Sequence, residues 1–174
     1  MTIPENQWGY HKDWSLSYIK NPVEVLERIV HAVSMGGNMV VNFGPQPDGD
    51  FRAEEKELAK VIGKWTARNG ECIYACGYAG WEKQDWGYYT AKGHHVYMVV
   101  FNRPYSGQLT AKTPKGTQII KASLLNGENI KVTETARNEY NVSMPKHEFN
   151  EPFVIKLEIK SSESTTNKYR EALT

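Results

Sequence analysis

Two periods divide the chain: apolar residues recur at helical spacing between residues 21 and 70, and they alternate from residue 71 onward. The stretch NPVEVLERIVHAVSMGG predicts a helix. Asn21 is placed to cap it, Pro22 takes the first helical position, Glu24 completes a capping box, and Gly36 and Gly37 stop it. Leu26, Ile29, Val30 and Val33 then share one face. The run NMVVNF predicts a strand buried on both faces, followed by the loop GPQPDGD. A second helix is predicted over RAEEKELAKVIGKWTARNG, with acidic residues in its first turn, a stripe of Leu58, Val61, Ile62 and Trp65, and an end at Asn69-Gly70. A single strand of the parallel-sheet type cannot cover both of its faces alone, so this pattern predicts neighbours that the chain does not supply.

From Glu71 the alternation predicts about eight short strands, in ECIYACGYAGWEKQ, WGYYTAK, HHVYMVVFN, GQLTAK, TQIIKASLLN, ENIKVTET, EYNVSMP and PFVIKLEIK, which is the pattern of an antiparallel sandwich. The tail SSESTTNKYREALT is polar and is expected to be loose or draped on the surface. The fold class expected is therefore α+β.

Composition narrows the partners. With 174 residues and a formal charge of +1, and with no long block of one sign, the chain gives no electrostatic reason to expect nucleic acid or an anionic membrane. No apolar run is long enough to span a bilayer, and the polar, aromatic start TIPENQWGYHKDW does not have the form of a signal peptide. Five Trp and ten Tyr suit either sugar stacking or an aromatic β core. Cys72 and Cys76, four residues apart on a predicted strand, read as buried free thiols; their spacing is not that of a zinc site.

Candidate chemistry is sparse. Asp48 and Asp50 follow the predicted buried strand, where a barrel enzyme keeps acids and bases, yet PDGD is also ordinary turn chemistry, which is the favoured reading. Glu5, Trp8, Tyr10, His11, Asp13 and Trp14 crowd into ten residues, a density that suits a pocket wall, with plain packing as the alternative. His94 and His95 read as a surface pair beside a Lys-Gly turn. Asn141-Val142-Ser143 matches a glycosylation sequon inside a predicted strand, too short a match to carry weight.

The ordered set MTIPENQWGYHKDW, VSMGGNMVVNFGPQPDGDF and IGKWTARNGECIYAC resembles the C-terminal part of the α-L-fucosidases of glycoside hydrolase family 29, in particular its Bacteroides-type members. The later stretch GYAGWEKQDWGYYTAKGHHVYMVVFNRPYSGQLTAKTPKG is similar to that family's C-terminal β-sandwich. The resemblance implies an α+β fragment: a helix-strand-helix remnant of a (β/α) barrel over residues 1–72, a β-sandwich over 73–160 and a polar tail over 161–174. It implies a retaining, exo-acting enzyme that hydrolyses terminal α-L-fucose from glycans through an Asp nucleophile and a separate acid/base carboxylate. Both carboxylates lie in family motifs N-terminal to Met1. No catalytic residue, metal or cofactor is therefore expected in this chain, and the chain alone is expected to be inactive. One site residue is implied, Trp8, as the aromatic that lines the fucose pocket, with Tyr10 and His11 close to it. A fucosylated glycan is the implied partner of the complete protein, and a periplasmic or secreted location is implied for it.

Two further readings stay open. One is a non-catalytic carbohydrate-binding module that stacks sugars on Trp81, Trp86 and Tyr88. The other is a structural role in which the stripe of Leu58, Val61, Ile62 and Trp65 is exposed and drives self-association.

Overall fold

The computed structural model describes residues 1–5, 7–13, 17–146 and 150–161. Trp14 and nearly all of the expected tail lie outside the described residues. Two helices come first, α1 (Pro22–Ser34) and α2 (Ala53–Asn69), the latter running into a 3-10 turn at Gly70–Cys72. Then follow β1 (Gly77–Tyr78), β2 (Gly87–Lys92), β3 (His95–Val100), β4 (Gln108–Lys112), β5 (Thr117–Leu124), β6 (Asn129–Ile130), β7 (Val132–Ala136), β8 (Glu139–Ser143) and β9 (Phe153–Ser161). The strands form a six-stranded sheet in the order β1-β2-β3-β9-β5-β6 and a three-stranded sheet in the order β4-β8-β7. Pairing is antiparallel in both.

Strand β3 shows why the pieces cohere. Its side chains alternate faces. Val96, Met98 and Val100 enter the core between the sheets, with Leu109, Tyr140, Val142, Ile155 and Leu157. Tyr97 and Val99 point the other way and pack with Leu26 and Val30 of α1, Trp65 of α2 and Val154 of β9. The larger sheet is thus covered by the smaller sheet on one face and by both helices on the other. The stripe on α2 is correspondingly sheltered: Leu58 and Trp65 are buried, and Val61 and Ile62 are half-buried, not exposed as the self-association reading required. Trp65 also donates its indole N–H to the Pro152 carbonyl at 2.7 Å, and Arg68 pairs with Glu151 at 2.6 Å.

Helix α1 starts as its punctuation predicts, with the Asn21 side chain accepting from the Glu24 N–H at 3.0 Å. The Glu24 carboxylate accepts instead from Tyr18 Oη, at 2.7 Å, and from Arg28. Gly70 does not end α2 in a left-handed turn; its φ is −59°. Its lack of a side chain makes room for Tyr74, whose ring would lie 2.6 Å from an added Cβ.

Three strand expectations change. The segment after Glu71 is not a strand until Gly77: it turns at residues 73–75, with Ala75 at φ 60°, so the two cysteines flank a turn, Cys72 at the end of the 3-10 turn and Cys76 just before β1. Both are free thiols, Cys72 buried and Cys76 half-buried, and burial pushes both thiols up. ENIKVTET divides at Lys131, β6 pairing with β5 in one sheet and β7 with β8 in the other. The third change concerns NMVVNF and bears on the site.

Glu71 fastens the 3-10 turn to the sheet, accepting from Lys156 Nζ at 2.6 Å and Tyr97 Oη at 2.9 Å. The Lys156 hydrogen bond, aided by Tyr97, holds the Glu71 carboxyl below its ordinary value of 4.5. A carboxyl depressed in the folded state stabilises above its unfolded pKa and loses that stabilisation as pH falls through the folded one. Acid titration from pH 5 downward is therefore expected to cost the parent more stability than Glu71→Gln. The difference should be under about 1 kcal/mol, because the pair is partly solvated, and thermal melting as a function of pH reads it.

Candidate functional site

Residues 1–5 lie between two other segments. On one side Thr2 bridges Asn42 in parallel fashion, with the amino terminus donating to the Val40 carbonyl at 2.8 Å and the Asn42 N–H to the Met1 carbonyl at 2.9 Å. On the other side Pro4 bridges Ile19 in antiparallel fashion, and the Glu5 N–H donates to the Tyr18 carbonyl at 2.8 Å. Ile3 is fully buried against Val25 and Leu58, with Met1, Ile29, Val41 and Phe43 around them. Two segments that pair in parallel are thus joined by α1, and the second leads into α2, the repeat of a parallel α/β architecture.

NMVVNF is only partly the strand its composition predicts. The run makes one isolated bridge, and its two faces differ: Val41 and Phe43 pack against the helices, while Val40 is 74% exposed. The physical reason is that a continuous apolar run becomes a doubly buried strand only when hydrogen-bonded neighbours and a second layer are present, and here one face has neither. Double burial occurs instead in β3.

Beyond this pairing, the chain builds one end of the site from residues 7–13, 42–44 and 52–55. The Asn42 amide donates to the Trp8 carbonyl at 2.6 Å. Gly44 lies so close to the next peptide that an added Cβ would stand 2.8 Å from the Gly9 carbonyl carbon and the Tyr10 nitrogen. Arg52 stacks its guanidinium 4.6 Å from the Tyr10 ring centroid and donates to the His11 and Lys12 carbonyls. The His11 ring folds onto the Asp13 backbone, with Nδ1 2.7 Å from the Asp13 carbonyl oxygen. Trp8 itself stands 71% exposed, held by its backbone with its ring in the open. The structure therefore places Trp8 with its ring exposed, Tyr10 under the Arg52 guanidinium and His11 against the Asp13 backbone, on one stretch of chain beside residues 42–44.

Among the described residues the candidate carboxylates are not brought into a free pair. Asp48 accepts from the Asp50 N–H at 3.1 Å, and Gly49 takes a φ of +85°, the geometry of an Asx turn. Asp50 accepts from the Phe51 N–H at 2.7 Å and pairs with Lys56 at 2.8 Å; the Lys56 hydrogen bond first, then that of Phe51, holds its carboxyl below the ordinary range. Glu5 pairs with the buried Lys20 ammonium, which likewise lowers its pKa.

Elsewhere, Trp81 and Trp86 are about 95% buried in the inter-sheet core, Trp86 donating to the Thr110 carbonyl at 2.9 Å, so neither offers a ring face for stacking. Tyr88 is half-buried between His31, Phe101 and Lys83. His94 is exposed beside the β2–β3 turn, and Asn141 lies in β8 at the centre of the smaller sheet. Among the described residues no helix is long and apolar enough to cross a membrane.

Two residues that hold these segments together were not singled out from sequence, Arg52 and Glu55. Glu55 is 1% exposed and accepts from the Gly44 N–H at 3.2 Å. A signal existed: positions 55, 58, 62 and 65 fall on one helical face, so Glu55 continues the buried stripe.

Comparison with known proteins identifies the architecture. A family model described as α-L-fucosidase matches residues 1–71. Human tissue α-L-fucosidase is 35% identical over 127 residues, covering 71% of this chain and 27% of the human protein. The glycoside hydrolase family 29 α-L-fucosidase of Bacteroides thetaiotaomicron, solved as a trapped covalent intermediate, is 68% identical with a TM-score of 0.90, over 92% of this chain and 37% of that one. α-L-Fucosidase isoenzyme 1 of Paenibacillus thiaminolyticus matches with a TM-score of 0.81 at 28% identity, over 92% of this chain and 39% of that one. The chain spans well under half the length of these relatives, and it carries both the helical segment and the sandwich they share with it. It belongs to the α-L-fucosidases of glycoside hydrolase family 29.

Proposed function

We propose that the chain forms the C-terminal portion of a retaining, exo-acting α-L-fucosidase that removes terminal α-L-fucose from glycans, with Trp8 in the wall of the fucose pocket. The observation that carries this reading is the half-covered segment 40–43. It pairs in parallel with residues 1–3, presents an open face at Val40, and ends beside an exposed tryptophan. This is how a barrel segment looks without its siblings, with its loop end facing the site. A covalent intermediate was trapped in the 68%-identical relative, which supports double displacement here. The nucleophile and acid/base belong to the portion of the enzyme that this chain does not cover, so the isolated chain has no hydrolytic activity. We also propose a periplasmic or secreted location for the complete enzyme.

The test joins this chain to the part of the Bacteroides thetaiotaomicron enzyme that it does not cover and assays an aryl α-L-fucoside. Turnover by the fusion and silence from the chain alone support the reading. Enzyme-like turnover by the chain alone contradicts it.

A further inference from the structure

We propose that Glu55 is a positioning residue for the fucose pocket: through Gly44 it sets the place of the Gly9–Tyr10 peptide, one residue beyond Trp8 in the chain. The inference rests on the reading that Trp8 lines that pocket.

Glu55 is the third residue of α2, where a capping-box glutamate ordinarily folds back to the N–H of the cap residue. The cap residue here, Arg52, has no side-chain hydrogen bond of that kind. Glu55 reaches instead to the N–H of Gly44, eleven residues earlier. It does so from inside the protein, at 1% exposure, in line with Leu58 and Trp65 on the buried side of the helix. Its other oxygen, Oε2, is buried without a hydrogen-bond partner. A carboxylate with one unsatisfied oxygen is a poor choice for stability, even near the positive end of a helix, and an apolar side chain of equal length would be a better one.

What the carboxylate does achieve is to fix Gly44. That residue abuts the Gly9–Tyr10 peptide so closely that no Cβ would fit, so a shift of Gly44 is felt one residue beyond Trp8. The neighbouring Asn42 amide holds the Trp8 carbonyl itself. Trp8 is thus an exposed ring on a backbone fixed from two sides, and one of the two ties leads into the buried base of α2. A pocket wall needs this arrangement, because a displacement of about 1 Å is enough to cost affinity and rate.

The fusion enzyme described above tests this with Glu55→Met, Glu55→Gln and, in parallel, Trp8→Ala. The readouts are the Kd for L-fucose by calorimetry, KM and kcat for an aryl fucoside, and the melting temperature. Methionine keeps the volume and removes the acceptor. It is expected to raise Kd and KM roughly tenfold, with a smaller change in kcat and no fall in melting temperature. Glutamine still offers a carbonyl oxygen to Gly44 and is expected to stay within about twofold of the parent. The proposal is overturned if Glu55→Met binds fucose like the parent, if affinity falls only together with melting temperature, or if Glu55→Gln is as impaired as Glu55→Met. Trp8→Ala separates the two readings. Unchanged affinity there removes the pocket role of Trp8 and the Glu55 proposal with it, whereas weakened binding in Trp8→Ala beside parental binding in Glu55→Met removes the positioning role alone.

Discussion

Joined to the complementary part of its Bacteroides thetaiotaomicron relative, the chain is expected to turn over an aryl α-L-fucoside, whereas the 174-residue chain by itself is expected to release no aglycone above the uncatalysed rate. The difference should be large, because glycosidic cleavage by double displacement depends on two carboxylates placed about 5 Å apart across the bond. Enzymes of ordinary efficiency gain at least about a millionfold over solution, and most of that gain is lost with the nucleophile and the acid. The carboxylates near the site are otherwise engaged: Asp48 and Asp50 shape a turn, and Glu5 is held by Lys20. A pair committed to backbone and ammonium partners has no free geometry with which to attack or protonate a sugar.

The second large effect is on stability. Trp65→Ala is expected to lose about 3 to 5 kcal/mol, enough to leave a domain of ordinary stability close to its unfolding threshold. Trp65 is fully buried where α2 meets α1 and the six-stranded sheet, against Leu26, Tyr97 and Val154. Removing the indole opens a cavity at that junction and leaves the Pro152 carbonyl without its donor. Arg68→Ala, one turn further along the same helix, removes only an exposed ion pair with Glu151 and is expected to cost under about 1 kcal/mol. Urea denaturation of the two variants reads the contrast. Equal midpoints would show that α2 is not held to the sheet through Trp65. The same anchoring matters to the site, because α2 carries Glu55 at its other end.

Most of the architecture was readable before any coordinates. The helix starts and stops, and the strands from Gly87 to Leu124 and from Glu139 to Ser161, follow from period and punctuation, because alternation in these strands reflects real two-sided burial. The failures share a cause. NMVVNF has the composition of a doubly buried strand, but composition records the surroundings a segment is suited to, not whether those surroundings are present. Trp81 and Trp86 looked as suitable for stacking sugars as for filling a core, and only their place between the sheets decides the matter. The region around Cys72 lost its strand to a turn that no alternation could reveal, since it depends on the left-handed backbone at Ala75. At the candidate site, the density of aromatic residues between Glu5 and Asp13 was visible in the sequence as a cluster of residue types. The tie from Glu55 to Gly44 was not, because it is a contact across eleven residues made by a side chain that ordinarily serves its own helix.

The central physical proposal is that residues 40–43 form a barrel segment whose remaining neighbours lie in the part of the enzyme this chain does not cover. Amide hydrogen exchange, compared between the chain alone and the fusion, tests it most directly. In the chain alone the amides of residues 39, 40, 41 and 43 should exchange nearly freely, unlike that of Asn42, which is bonded to the Met1 carbonyl, while those of β3 and β9 stay protected, and in the fusion the former should slow by at least about a hundredfold. Equal exchange of residues 39, 40, 41 and 43 in the two proteins would contradict the account.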